Sequence, residues 1–190
     1  MILQEVLCTI KDRLLSSGYV NTFYEYCELF KRDQVIQPGY YTGGGQYKPV
    51  MDFDTNGAGY ARKRSTVSIR ENTTIPYTTG CMDDTILDVT YPIRLILGVP
   101  RTKLNDDAYS DDLLFTEVAA ILGGNYSANY VISTDVNVTG YDTDSLSIWA
   151  QEVKGMDYQM NFRLSYLTID FNLVFTLKQS CMAQVCGYGY

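Results

Sequence analysis

Leu164-Ser165-Tyr166-Leu167-Thr168-Ile169-Asp170-Phe171-Asn172-Leu173-Val174-Phe175-Thr176-Leu177-Lys178 decides the fold. From Leu167 onward, Leu167, Ile169, Phe171, Leu173, Phe175 and Leu177 alternate with Thr168, Asp170, Asn172, Thr176 and Lys178. A two-residue period is the mark of a strand with one covered face. Phe162, Leu164 and Tyr166 alternate with the opposite parity, which predicts a bulge or kink at Tyr166–Leu167, because one residue of slip exchanges the faces. Residues 85–99 repeat the pattern, with Leu87, Val89, Tyr91, Ile93, Leu95, Leu97 and Val99 on one parity. Pro92 inside that run predicts an edge position or a bulge. Residues 130–139 give a third strand, with Ile132, Val136 and Val138 on one face. Residues 144–153 read equally as helix or strand.

Two segments carry helical periodicity. Over 2–16, Leu3, Leu7, Ile10 and Leu14 form a stripe, and Gly18 suits the C-terminal stop. Over 111–122, Leu114, Val118, Ile121 and Leu122 form another, with Asp111 and Asp112 in the first turn, where acidic groups complement the helix dipole. Residues 19–36 suggest a strand or a short mixed element. The predicted architecture is α+β over a single domain, 1–190. It is a mostly antiparallel sheet with an N-terminal helix and a second helix packed on one face.

Residues 37–80 stand apart. Gly39, Gly43, Gly44, Gly45, Gly57, Gly59 and Gly80 interrupt any period, Tyr40, Tyr41, Tyr47, Tyr60 and Tyr77 are interleaved with them, and aliphatic residues are few. Such a stretch cannot close a core of its own, so it reads as a long Gly/Tyr-rich arm or β-hairpin insertion ordered by packing on something else. Tyr40, Tyr41, Tyr47 and Tyr60 are its candidate subunit-interface residues, since tyrosine buries large area while keeping a polar tip. The basic run Arg62-Lys63-Arg64 joins them as a group able to meet an acidic neighbour.

Composition narrows the function. The 190 residues include no histidine and 17 tyrosines, which removes Ser-His-Asp, Cys-His and other His-based chemistry from within the chain. Gly43-Gly44-Gly45 lacks the Lys-Ser/Thr of a phosphate loop, and Asp142-Thr143-Asp144 and Asp106-Asp107 lack the spacing of a calcium loop. No enzyme, metal or cofactor is expected. Five scattered cysteines, with no basic leader before the first apolar residues and no run long enough for a membrane span, point to reduced thiols made in a cytoplasm and to no membrane partner. The net charge of −7 is concentrated: residues 101–150 hold two basic and eight acidic groups. Asp106, Asp107, Asp111 and Asp112 form a local acidic surface that repels polyanions.

The order of these elements resembles that of tailed-bacteriophage neck proteins, the head–tail connector, tail-completion and tail-terminator group. The likeness is carried by the helix 2–16, the arm 37–80, Thr90-Tyr91-Pro92-Ile93-Arg94-Leu95-Ile96-Leu97, the helix 111–122 and Ile169-Asp170-Phe171-Asn172-Leu173-Val174-Phe175-Thr176-Leu177. The Tyr- and Gly-rich, Cys-containing composition resembles that of crAss-like phages. The arm departs from a compact tail terminator. The resemblance implies a virion structural protein, assembled in the host cytoplasm. It would form a homo-oligomeric ring of six or twelve copies between portal and tail, contacting portal and neck proteins and lying close to DNA without reading its sequence. It implies neither catalysis nor a cofactor. On it, Asp106, Asp107, Asp111 and Asp112 would face the channel lumen or another ring. The alternative is a carbohydrate- or receptor-binding β-rich module of a virion that uses exposed tyrosines.

Overall fold

The computed structural model describes residues 2–32, 34–50, 56–75, 84–104, 110–128, 131–153 and 163–178. Among these, the chain runs α1 (Ile2–Ser17), β1 (Thr22–Arg32), β2 (Val35–Gly43), β3 (Gln46–Pro49), β4 (Ala58–Lys63), β5 (Ser68–Ile75), β6 (Asp84–Pro100), α2 (Ser110–Leu122), β7 (Val131–Asp142), α3 (Ser145–Glu152) and β8 (Leu164–Lys178). All eight strands join one sheet, in the order β3-β2-β1-β4-β6-β8-β7, with β5 also on β6. Every pairing is antiparallel except β1 with β4. The α+β architecture read from the sequence is therefore the one observed.

The spine is β6 against β8, in unbroken register from Ile86↔Lys178 to Pro100↔Leu164. Odd-numbered residues of both strands face one way. There Val89, Ile93, Leu95 and Leu97, with Leu167, Ile169, Phe171, Leu173 and Phe175, are buried beneath α1 and α2. The helices contribute Leu3, Val6, Leu7, Ile10 and Leu14 and Leu114, Val118 and Leu122 to that layer. Ile96, Leu164 and Tyr166 face the other way and pack with Tyr60, Val50, Cys27 and Ile148 of α3.

Several expectations change in consequence. No bulge lies at Tyr166–Leu167, where the register with β6 is continuous. The parity exchange arises because β8 passes from a stretch covered by α3 as well into one covered only by α1 and α2. Around Tyr166–Ile169 both faces are buried. Pro92 is not at a sheet edge, since it pairs with Asn172 of β8. On its other side, the Pro92 carbonyl accepts a hydrogen bond from the Arg64 N–H at 2.9 Å. A strand residue points its N–H and C=O to the same side, so the donor that proline lacks faces β4. The β4–β6 ladder ends one pair earlier, at Lys63↔Ile93, and β5 resumes the pairing at Ser68↔Thr90. Proline thus sits at the seam between two strands that share one flank of β6.

The described part of 37–80 is not detached from the domain. β2 pairs with β1, while β4 lies between β1 and β6. Partners from outside the segment supply the core that its own composition lacks. Two glycines there make room for neighbouring side chains: a Cβ on Gly59 would lie 2.4 Å from Leu97 Cδ2, and one on Gly39 2.3 Å from Phe30 Cε1. What projects is the β2–β3 hairpin, closed by a turn at Gly44-Gly45. Residues 19–36 resolve into β1 and the start of β2, and 144–153 into α3, which covers the face opposite α1 and α2.

Two-sided burial makes a prediction. Ile96→Ala and Leu97→Ala, adjacent but on opposite faces, should each destabilise the protein by about 2–5 kcal/mol in urea unfolding. A one-faced sheet would tolerate the Ile96 change.

Candidate functional site

Three surfaces hold the polar and aromatic residues that could act. The first is an ionic cluster on the α3 face of the sheet. Arg62 of β4, Arg94 of β6 and Asp170 of β8 are direct cross-strand neighbours, so two guanidinium groups lie side by side. Glu152, at the end of α3 and only 3% exposed, offsets that repulsion. Its carboxylate accepts from Arg62 Nε at 2.8 Å and Nη2 at 2.6 Å, and from the Tyr60 hydroxyl at 2.9 Å. Arg94 Nη1 lies 3.8 Å away. Asp170 is held by a fork from Arg94 at 2.7 and 2.8 Å and by Arg64 Nη1 at 3.2 Å. Arg94 also donates to Gln151 of α3 at 2.7 Å, and Arg64 to Thr139 of β7 at 3.2 Å.

A buried carboxylate is tolerable only when fully paired, and these pairs tie α3, β4, β6, β7 and β8 together. Burial alone would raise the Asp170 carboxyl. The hydrogen bonds and charge of Arg94, then those of Arg64, outweigh it and hold the group below its ordinary 3.8. Burial and the Glu152 charge push the Tyr60 hydroxyl well up, so it stays a donor. Every arginine of the cluster is engaged by a carboxylate of the same chain.

The cluster corrects part of the sequence reading. Tyr60, expected at a subunit interface, is 1% exposed inside the domain, and Arg62 and Arg64, expected to meet a neighbour, are paired internally. Only Lys63 of that run is exposed without an ion pair among the described contacts. It lines an open groove of about 510 Å³ where the sheet splits, between Tyr26–Leu29 of β1 and Arg62–Thr66. Beneath α3 the packing leaves a cavity of about 10 Å³, room for roughly one water. Sequence reasoning missed Glu152, Arg94 and Asp170. The available signal was a charge of each sign at the polar positions of two otherwise apolar strands.

The second surface is the β2–β3 hairpin. Tyr41 is 58% exposed and its ring lies 5.4 Å from that of Tyr47. Tyr47 stacks on Phe30 at 5.6 Å and donates its hydroxyl to Glu28 at 2.8 Å. Tyr40 is on the other face, stacked on Tyr24 at 5.1 Å. The structure thus groups Tyr41 and Tyr47, sets Tyr40 apart and removes Tyr60.

The third surface is the β7 end. Asp111 and Asp112 are exposed in the first turn of α2, whereas Asp106 and Asp107 lie outside the described residues. Phe115 of α2 stacks on Tyr141 of β7 at 3.8 Å. Asp144 caps α3 by accepting from the Leu146 N–H. Among the described residues, no group of three or more His, Cys, Asp or Glu side chains is placed to hold a metal ion, and no helix is long and apolar enough to cross a membrane. Cys8 and Cys27 are free thiols, and burial pushes the Cys27 thiol up to about 12. The other three cysteines lie outside the described residues.

No protein-family model matches the chain, and no curated protein matches it.

Removing Glu152 should leave Arg62 without its carboxylate beside the second guanidinium of Arg94. Glu152→Ala is expected to cost about 3–5 kcal/mol in chemical unfolding and to loosen α3 first in hydrogen exchange. A depressed Asp170 value adds stability that is present above about pH 4, the unfolded carboxyl range, and is lost as pH falls toward the folded value. Asp170→Asn should therefore lower stability at neutral pH and flatten its acid limb, as read by thermal melts across pH 2–7.

Proposed function

We propose that this chain is a non-enzymatic virion structural protein that assembles into a homo-oligomeric ring in the neck of a tailed phage, between portal and tail and around the DNA channel. One observation carries the reading. Most of the large apolar side chains left exposed lie toward the two ends of the sheet, Leu29, Ile36 and Tyr41 on β1–β2 and Ile132, Val138 and Tyr141 on β7 with Leu113 on α2, while Ile69 of β5 and Leu146 of α3 are exposed between them. Two unlike sticky ends form head-to-tail contacts, and these close into a ring when the rotation permits. The internal engagement of Arg62, Arg64 and Arg94 supports a scaffold rather than a nucleic-acid reader. In such a ring the acidic first turn of α2 would repel phosphates, keeping DNA mobile in the channel.

Native mass spectrometry with negative-stain microscopy tests this. The expected result is a closed ring of uniform copy number, six or twelve, in the free protein or on addition of a portal ring. A chain that stays monomeric in both settings and binds a defined sugar on a glycan array would instead establish the carbohydrate-binding alternative.

A further inference from the structure

We propose that the contact between neighbouring copies joins the β1–β3 end of one chain to the β7 end of the next, with Lys31 and Lys48 seated on the acidic face of β7. The inference rests on the ring reading above and names its two surfaces.

Charge selects the partner. On the α3 face of the β1–β3 end, the exposed Lys31 lies beside Leu29 and opposite Ile36, and the exposed Lys48 lies further along that face, opposite Tyr40. On the same face of β7, Asp135 and Asn137 stand opposite Val174 and Asn172 of β8, and Asp142 stands opposite Thr168. These positions are polar and acidic. On the α1–α2 face the match is apolar: Tyr41 beside Tyr47 at one end, and Val138 beside Tyr141 at the other. A copy displaced along the sheet without turning over therefore brings lysine to aspartate on one face and aromatic to apolar on the other.

Strand direction agrees. Following the pairings across the sheet, β3 runs opposite to β7. The same displacement sets the two edges antiparallel. Self-pairing of two β7 ends by a two-fold axis would gather Asp135 and Asp142 of both copies on one face of the joint, which like charges oppose. β3 is four residues long and carries Lys48 and Pro49, features that blunt an edge against strand addition. The contact is accordingly made by side chains rather than by a continued hydrogen-bond ladder.

Exposed substitutions test it. Lys31→Glu with Lys48→Glu reverses one end, and Asp135→Lys with Asn137→Lys reverses the other. Circular dichroism melts should match wild type, and sedimentation velocity should show each double variant as a monomer where wild type assembles. Mixed in equal amounts, the two should assemble again, since each contact in an alternating ring then joins opposite charges. If wild type assembles and both variants still do, or if the mixture stays monomeric, this pairing is wrong while the ring reading stands. If wild type never assembles, alone or on a portal ring, the ring reading falls and takes this pairing with it.

Discussion

Everything in this protein hangs on the register of β6 with β8. Fifteen consecutive residue pairs fix which side chains face α1 and α2 and which face α3. Because side chains alternate, a slip of β8 by one position would send Phe171 and Phe175 to the polar side and bring Asp170 into the apolar layer, away from Arg94. The penalty for burying that charge away from its partner is much larger than the gain from any single strand pair. Register is thus held by exclusion on one face and by matched charge on the other. Arg94 and Asp170 sit directly opposite in that register, so correct pairing and ion pairing are the same event.

The rest of the sheet is arranged around that pair. β4 ends where Pro92 removes a donor, and the flank of β6 passes to β5 beyond the seam. β1 runs on past its last pairing with β4 at Cys27↔Arg62, and the groove lined by Lys63 opens in the gap. α3 then closes the second face, where it contributes both Ile148 to the small core and Glu152 to the charge cluster. A helix of eight residues has little stability alone. Its buried carboxylate gives it a fixed seat.

Much of this was legible in the residues. The strands over 85–99 and 167–177, and both amphipathic helices, are long and strongly periodic, so local pattern and tertiary burial agree. The misreadings share one cause, which is that the sequence does not display a second covered face. Tyr166 and Leu164 looked like a parity error because α3 could not be seen above them. The 37–80 segment reads as core-less because β4 borrows its core from β1 and β6, and its glycines read as breaks when Gly39 and Gly59 are gaps for neighbouring side chains. Tyr60 is the clearest case: an aromatic in a Gly-rich run reads as a surface anchor, yet it fills a core and donates to Glu152. Likewise Arg62-Lys63-Arg64 reads as a basic patch, because the carboxylates that engage its two arginines lie about 90 and 106 residues further along the chain.

That internal pairing also decides how the net charge of −7 is displayed. Three of the chain's fifteen cationic side chains, Arg62, Arg64 and Arg94, are spent against Glu152 and Asp170 on the sheet. Lys11 is spent against Glu25 where α1 meets β1. Asp111, Asp112, Asp135, Asp142 and Asp144 are left around β7 and the helices beside it, while Lys31 and Lys48 remain exposed at the other end. Among the described residues the charge is therefore uneven along the sheet, with most exposed carboxylates around β7 and two exposed lysines, beside Glu28, at the β1–β3 end. A uniformly acidic chain would keep its copies apart, whereas a polarised one resists only those contacts that bring like ends together. Polarity of this kind acts on orientation and encounter more than on contact energy. The exposed apolar residues at each end then have an attractive approach in one arrangement and a repulsive one in its reverse. A single chain can specify head-to-tail order in this way without any sequence feature that marks an interface on its own.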